Sequence, residues 1–245
     1  MIGTIAAREF KSLFVSPLAW IALAILQFLF AYLFFSRFEL FIQYLPRLRN
    51  LDAAPGMTEI VAAGLFSIAG LVFLIITPLF CSRSLAEERR SGTLKLSLSS
   101  PVSLTELVLG KFLGLSGFFM IIILLLAIMA FSLLLGAPVD IGQILSGLLG
   151  LVLLTSACIA IGLFMSSLTA QPTVAAISTF TLLFFLWIIK WDDKNIGIFS
   201  TYLSLQEHFN SMVSGFLASV DVIYFLLLTI LFLGLTIWRL DLERS

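Results

Sequence analysis

Six apolar runs of membrane-spanning length alternate with polar segments along this chain of 245 residues. The runs cover residues 17–35, 60–81, 107–135, 144–167, 172–189 and 222–238. A transmembrane α-helix needs about 20 mostly apolar residues to cross about 30 Å of hydrocarbon. The chain is also 60% hydrophobic, more than a soluble domain of this length can bury. The sequence therefore predicts an all-α, polytopic integral membrane protein with six transmembrane helices in the lipid bilayer.

The positive charges predict which ends of these helices face the cytoplasm, because cytoplasmic loops are enriched in Lys and Arg. If the N-terminus is inside, the inner segments hold nine of the 14 basic residues: Arg8, Lys11, Arg83, Arg89, Arg90, Lys95, Lys111, Arg239 and Arg244. The outer segments hold the other five: Arg37, Arg47, Arg49, Lys190 and Lys194. Both termini are therefore predicted to be cytoplasmic. The net charge of zero argues against a nucleic-acid partner.

Two outer connections are long enough to hold structure of their own. Residues 36–59 are of mixed polarity, and we expect an extracytoplasmic elbow there. Residues 190–221 begin with the polar run Trp191-Asp192-Asp193-Lys194-Asn195 and continue with apolar residues at helical spacing. That pattern predicts an extracytoplasmic interfacial or re-entrant helix, too short and too polar to span. Pro78, one turn before the end of the second run, is predicted to kink or end that helix.

The inner segment of residues 82–106 contains the densest group of charges. Glu87 and Glu88 precede Arg89 and Arg90, a pattern typical of a solvated helical turn. Gly92 is predicted to break that turn, because glycine adopts left-handed dihedrals without a steric penalty. The segment has two interpretations. It either fixes the membrane topology only, or forms a short rigid element on the bilayer surface that docks into a soluble partner.

The same segment also contains a start signal for the third membrane helix. Pro101 is predicted to stop the preceding piece, and Ser103-Leu104-Thr105-Glu106 has the pattern of a capping box. Two aspartates are likewise predicted as helix N-caps: Asp140 before the fourth membrane helix and Asp221 before the last.

No pattern for catalysis or metal binding is present in the sequence. His208 is the only histidine, and we interpret it as a hydrogen-bonded structural residue rather than a ligand or a base. Cys81 and Cys158 are interpreted as small apolar packing residues. Gly110 and Gly114 form a GxxxG pair, and Ser146 and Gly150 form a second small pair. Both pairs indicate close helix packing, more often within one chain than between subunits.

The energy source is predicted to lie in another polypeptide. The middles of the apolar runs contain no Asp, Glu, Lys or Arg, whereas an ion-coupled carrier usually needs an ionisable residue there. The dipeptide Gly110-Lys111 lacks the upstream glycine and the following Ser or Thr of a phosphate-binding P-loop, so no ATP site is expected in this chain.

Several motifs together resemble the permeases of ABC-2 type transporters. The central motif is Ala86-Glu87-Glu88-Arg89-Arg90-Ser91-Gly92-Thr93-Leu94-Lys95-Leu96, followed by Ser100-Pro101-Val102-Ser103 and Gly110-Lys111. Further agreement comes from Arg8-Glu9-Phe10, Ser16-Pro17, Leu203-Ser204-Leu205-Gln206-Glu207-His208-Phe209, Gly215, Asp221 and Tyr224-Phe225. Within the family, the chain is most similar to the group of the gliding-motility permease and the permease for maturation of nitrous oxide reductase.

The resemblance implies a single ABC-2 type transmembrane domain over residues 1–245, in a bacterial inner membrane. It implies an amphipathic interfacial helix over residues 1–16 and a cytoplasmic coupling helix within residues 82–106. It also places the contact with an ATPase on Glu87, Glu88, Arg89, Gly92, Thr93, Leu94 and Pro101. No substrate-binding residue follows from it.

The resemblance implies a non-catalytic permease subunit that moves a substrate across the membrane, by export. Its expected partners are two ABC ATPase subunits, which bind ATP and Mg²⁺, and a second copy or a sister permease. No cofactor is expected in this chain. The main alternative is a membrane scaffold or assembly subunit of a cell-envelope complex without a transport path, and a membrane enzyme is a more distant alternative.

Overall fold

The computed structural model of the chain describes residues 1–48, 56–92, 103–136, 139–189 and 203–244. In these ranges the chain forms eight α-helices and no strand: α1 (Ile2–Val15), α2 (Pro17–Leu48), α3 (Gly64–Arg90), α4 (Leu104–Ser132), α5 (Ile141–Leu168), α6 (Pro172–Ile188), α7 (Leu205–Val213) and α8 (Ser219–Arg244). A π-helical stretch, Thr58–Ala63, leads directly into α3, and a 3₁₀ turn, Leu133–Leu135, follows α4.

Five of the described helices are long and apolar enough to cross a membrane, namely α2, α3 with its π-helical start, α4, α5 and α8. The sixth apolar helix, α6, is shorter, with 17 residues. These helices confirm the prediction of an all-α, multi-pass membrane protein. Helix α5 lies at the centre of the bundle, because 61% of its most apolar 18-residue stretch is buried. The buried share of the corresponding stretch is 22% in α2 and in α8.

The helix ends meet at two opposite ends of the bundle. At the α1 end, the amino group of Met1 lies 3.6 Å from the Glu106 carboxylate at the start of α4. The end of α8 also lies there, since Glu243 contacts Arg89. At the α7 end, the backbone N–H of Asp140 donates to the Thr58 hydroxyl over 3.0 Å. Met1 and Glu243 therefore lie at the same end of the bundle.

Helix α2 is much longer than predicted, and the expected elbow over residues 36–59 is wrong in its first half. The helix continues past Phe35 to Leu48. The reason is an apolar stripe at helical spacing, since Phe34, Phe38 and Phe41 all pack on the core. The mixed polarity of residues 36–48 makes this apolar stripe hard to recognise in the sequence. Residues 49–55 of the predicted elbow lie outside the described residues.

Helix α3 does not end near Pro78, which lies inside the helix and is followed by three more turns. The proline ring removes the N–H that would bond to the Leu74 carbonyl one turn earlier. Pro78 is buried within the bundle, and the helix continues to Arg90. The charged residues 87–90 therefore form the last turn of a long helix and not a separate element on the membrane surface.

A short helix forms within the predicted outer segment 190–221, of which residues 190–202 lie outside the described part. Helix α7 is 9 residues long and begins at the cap Ser204, whose hydroxyl accepts from the Glu207 N–H. Its apolar face, including Phe209 and Met212, is buried. That face packs on protein, because the Ser146 hydroxyl of α5 donates to the Met212 carbonyl over 2.6 Å.

Candidate functional site

The last turn of α3 presents the charged residues that the sequence singled out. Glu87 and Arg90 are exposed, whereas Glu88 and Arg89 are half-buried. The helix ends because Gly92 adopts a left-handed φ of 75°, a conformation that favours glycine. The predicted break at Gly92 is confirmed. Glu87 thus projects into solvent from a turn whose other acid faces the bundle.

A buried lysine anchors this turn to two other helices. Lys111 of α4 is only 1% exposed. Its ammonium Nζ lies 2.7 Å from Glu88 Oε1 and 2.6 Å from Glu9 Oε1 of α1. It also donates to the backbone carbonyl of Ser84 over 3.0 Å. A buried charge is stable only when it is paired and hydrogen-bonded, and this cluster satisfies its cation with three acceptors from α1 and α3.

Two glycines of α4 make this approach possible. A Cβ at Gly110 would lie 2.6 Å from Cγ2 of Ile5, and a Cβ at Gly114 would lie 2.6 Å from Cβ of Glu9. Real Cβ atoms do not come that close, so only glycine lets α1 lie directly on α4. The GxxxG pair therefore serves intramolecular packing, as predicted. It brings Glu9 within reach of Lys111.

A second ion pair connects the end of α3 to the end of the chain. The Arg89 guanidinium donates to Glu243 Oε1 of α8. Glu243 also lies 3.3 Å from Arg239, one turn earlier in α8. The last turn of α3 is thus bonded to α4 through Glu88 and to α8 through Arg89, and Lys111 extends the first of these links to Glu9 of α1.

A cavity of about 510 Å³ opens beside this turn, between α1, α3 and the start of α2. Its walls include Glu87 and Glu88 together with Arg8 and Arg83, both exposed arginines. The charged end of α3 therefore borders a recess rather than a flat surface.

The model of the ABC-2 family of transporter proteins matches residues 3–243 of the sequence. The chain belongs to this family. No curated protein matches the sequence significantly. Family membership makes the chain the membrane permease component of an ABC transporter, a type of subunit that is generally non-catalytic and that works with ABC ATPase subunits.

Four of the seven residues predicted for ATPase coupling lie together at the end of α3: Glu87, Glu88, Arg89 and Gly92. Thr93, Leu94 and Pro101 lie outside the described residues. The capping box predicted at the start of α4 is confirmed, since Ser103 and Glu106 exchange both hydrogen bonds.

Sequence reasoning missed what holds this turn in place. The sequence patterns give neither Lys111 nor Glu9 a structural role, and they do not single out Glu243. A signal was present for the first of them: Lys111 is a lone cation within an apolar run, and a charge in such a place needs partners. The identity of those partners, 23 and 102 residues away in sequence, had no signal at all.

The α7 end of the permease has a polar cluster of its own. His208 Nδ1 lies 2.6 Å from Asp221 Oδ1, and both side chains are buried. The ring of Tyr224 stacks on His208 with centroids 4.2 Å apart, and its hydroxyl donates to the Leu203 carbonyl. His208 is thus hydrogen-bonded, as predicted. No group of residues in the described ranges could hold a metal ion.

The two predicted aspartate caps have opposite outcomes. Asp140 is confirmed, because its carboxylate accepts from the N–H groups of Gly142 and Gln143 at the start of α5. The prediction for Asp221 is wrong: α8 begins at Ser219, two residues earlier. Its carboxylate lies inside the first turn and contacts His208 instead.

Proposed function

We propose that this permease is a six-span subunit that couples ATP hydrolysis by partner ATPases to export of a substrate. The observation that carries the proposal is the double anchoring of the last turn of α3. Glu87 is exposed for contact, while the adjacent Glu88 and Arg89 are bonded to Lys111 of α4 and to Glu243 of α8. Lys111 also binds α1 through Glu9. A force applied at this turn reaches three further helices through ion pairs, which suits rigid-body gating.

Six crossings are supported by the path of α6, although it has only 17 residues. Its first residues, Pro172 and Thr173, line a groove with Arg83 at the α1 end. Its last turn is at the α7 end, where the Trp187 ring lies 6.1 Å from that of Phe209. At about 1.5 Å per residue, 17 residues extend about 25 Å, close to the thickness of the hydrocarbon.

The orientation follows from the positive charges, which place the α1 end in the cytoplasm. The bacterial inner membrane is the location that the family resemblance implies. The proposed assembly contains two ATPase subunits, which bind ATP and Mg²⁺, and a second permease copy or a sister permease. The export direction, the assembly and the kinship to the gliding-motility and nitrous-oxide-reductase-maturation group rest on the resemblance of the motifs alone.

Charge reversal at Glu87 tests the coupling assignment. Glu87→Lys should abolish co-purification of the cognate ATPase and its stimulation by the permease, because the exposed acid would contact that partner. Glu87 is a sharper target than Glu88, whose loss would also remove an anchor of Lys111. Glu39→Lys is the matched control, since Glu39 is exposed on α2, outside the proposed contact. Unchanged association and ATPase activity in Glu87→Lys would refute the assignment.

Cysteine labelling tests the orientation. Arg90→Cys and Gly92→Cys should each resist a membrane-impermeant maleimide in intact cells and react with it after the cells are opened. The native Cys81 and Cys158 are fully buried and give little background. Labelling from outside would overturn the proposal. An ATPase that binds normally without ATP-dependent transport would instead favour a scaffold subunit.

A further inference from the structure

A second cavity joins the first one at the α1 end. It is a groove of about 510 Å³ between α2, α3 and α6, and its walls are mostly apolar. Leu79, Phe80 and Arg83 line both the groove and the charged cavity described above. The two spaces therefore meet along one face of α3, apolar on one side of Arg83 and charged on the other.

The order of residues along this face of α3 is distinctive. Ile76, Leu79, Arg83 and Glu87 are spaced by three or four residues, so they form one stripe on the helix. Ile76 and Leu79 line the groove, Arg83 lines both spaces, and Glu87 lines the charged cavity. From the middle of the bundle towards its end, the stripe is thus apolar, then cationic, then anionic. Arg83 and Glu87 are about 6 Å apart along the axis at 1.5 Å per residue.

The junction of the two cavities lies at the level where membrane helices begin. Ser16, directly before α2, lines the charged cavity, and Pro172, the first residue of α6, lines the groove. Starts of membrane helices mark the boundary between hydrocarbon and headgroups. The groove is open towards lipid, since Ile21, Ile25 and Leu79 are each more than half exposed. Arg83 is therefore positioned at headgroup depth.

Two arginines and three glutamates line the cavity, and they are unequally engaged. Arg8 and Arg83 form no ion pair within the described ranges, whereas Glu9 and Glu88 bond to Lys111. Glu87 is the third acid of the wall and is exposed. Two arginines in one place favour a phosphate, and a carboxylate one helical turn further out favours an ammonium group.

We propose that this composite site binds a membrane phospholipid with a primary amine headgroup, of the phosphatidylethanolamine type. One acyl chain occupies the groove, the phosphate lies between Arg8 and Arg83, and the ammonium group donates to Glu87. The order of acyl chain, phosphate and ammonium group in such a lipid matches the apolar, cationic and anionic parts of the stripe on α3. The proposal requires only that the chain is a membrane protein, and it does not depend on ATPase coupling or transport.

Lipid binding to the purified permease, without any ATPase, tests the proposal. Native mass spectrometry of the detergent-solubilised protein would be titrated with phosphatidylethanolamine, phosphatidylcholine and phosphatidylglycerol of identical chains. We expect phosphatidylethanolamine to bind about fivefold more tightly than the other two, the effect expected of one charged group at a membrane surface. The choline headgroup has no N–H to donate, and the glycerol headgroup has no cation. Equal affinities for ethanolamine and choline lipids would overturn the proposal without any variant.

Three variants separate the parts of the site. Glu87→Gln should lower the affinity for phosphatidylethanolamine to that for phosphatidylcholine, and Arg8→Gln with Arg83→Gln should weaken all three lipids. Lys11→Gln, on α1 but outside the cavity, should change neither the preference for phosphatidylethanolamine nor the affinities for the three lipids. Ala22→Phe should block the groove, whereas Ala24→Phe, exposed two residues along α2 and outside the groove, should not. The proposed site is wrong if Glu87→Gln leaves the preference for phosphatidylethanolamine intact. It is also wrong if Ala22→Phe and Ala24→Phe have the same effect on lipid affinity.

Discussion

Lys111 joins three helices at the α1 end of this permease. It is buried at 1% exposure, and its two carboxylate partners come from α1 and α3. Desolvation makes a lone cation in such a place very unfavourable, so the three side chains depend on one another. We interpret the cluster as the structural joint between α1, α4 and the last turn of α3.

Replacement of this lysine should be costly. Lys111→Met leaves Glu9 and Glu88 facing each other without their cation, and we expect a loss of about 3–5 kcal/mol of stability. Thermal unfolding in detergent measures it, with Lys11→Met, at an exposed position of α1, as the matched control. Adding Glu9→Gln and Glu88→Gln should restore part of the loss, because no unpaired charge then remains. Equal stability of Lys111→Met and Lys11→Met would contradict this account.

His208 is the second buried ionisable residue with a defined partner. His208→Ala removes the hydrogen bond to Asp221 and the stacking on Tyr224, so we expect destabilisation by about 1–3 kcal/mol. Thermal unfolding again measures it. Tyr224→Phe, which loses only the hydroxyl bond to Leu203, should cost less. If His208→Ala were fully stable and assembled yet completely inactive, a catalytic role for the histidine would be favoured instead.

At the scale of elements, the contact between α1 and α4 depends on glycine. The Cβ that any other residue would add at Gly114 meets backbone as well as side chain, 3.1 Å from the Ala6 carbonyl oxygen and 2.6 Å from Glu9 Cβ. The backbone of a helix cannot yield as a flexible side chain can. Helix α1 must therefore shift as a whole when this glycine is replaced.

Gly114→Ala should loosen α1 at a cost of about 1–3 kcal/mol, the usual range for overpacking. Limited proteolysis should then remove the N-terminal segment faster, and thermal unfolding should begin earlier. Gly234→Ala is the matched control, because nothing lies within 4 Å of a Cβ built there. Resistance of α1 to protease in both variants would show that the close approach is not required.

At the scale of the whole molecule, the pair between Arg89 and Glu243 joins two helix ends that are 154 residues apart in sequence. Both side chains remain partly exposed, at 20% and 25%, so the pair contributes little to stability, about 0–1 kcal/mol. The role of this ion pair would instead be to transmit motion from α3 to α8.

A charge swap tests that role. Arg89→Glu should reduce ATPase stimulation by the permease, and adding Glu243→Arg should restore it, because the pair is rebuilt with reversed signs. Thermal stability should change by about 1 kcal/mol or less in both proteins. If the double variant stays as defective as the single one, Arg89 acts by touching the ATPase itself and not through α8.

The sequence alone determined the class of the protein and several local features. Apolar runs long enough to cross hydrocarbon can only form helices there, because lipid offers no partner for backbone groups. The capping box at Ser103, the cap at Asp140 and the break at Gly92 were also predictable, since each depends on a few neighbouring residues. The charged turn at residues 87–90 could be recognised for a different reason, because charges are rare in a chain that is only 11% charged.

Only the tertiary structure decided how far helices extend and which charges meet. Helix α2 continues to Leu48 and α3 passes Pro78, because neighbouring helices cover their apolar faces. The partners of Lys111, the pair of Arg89 with Glu243 and the contact of Asp221 with His208 likewise join distant segments. A local pattern shows that a buried charge needs a partner, but packing alone selects which residue provides it.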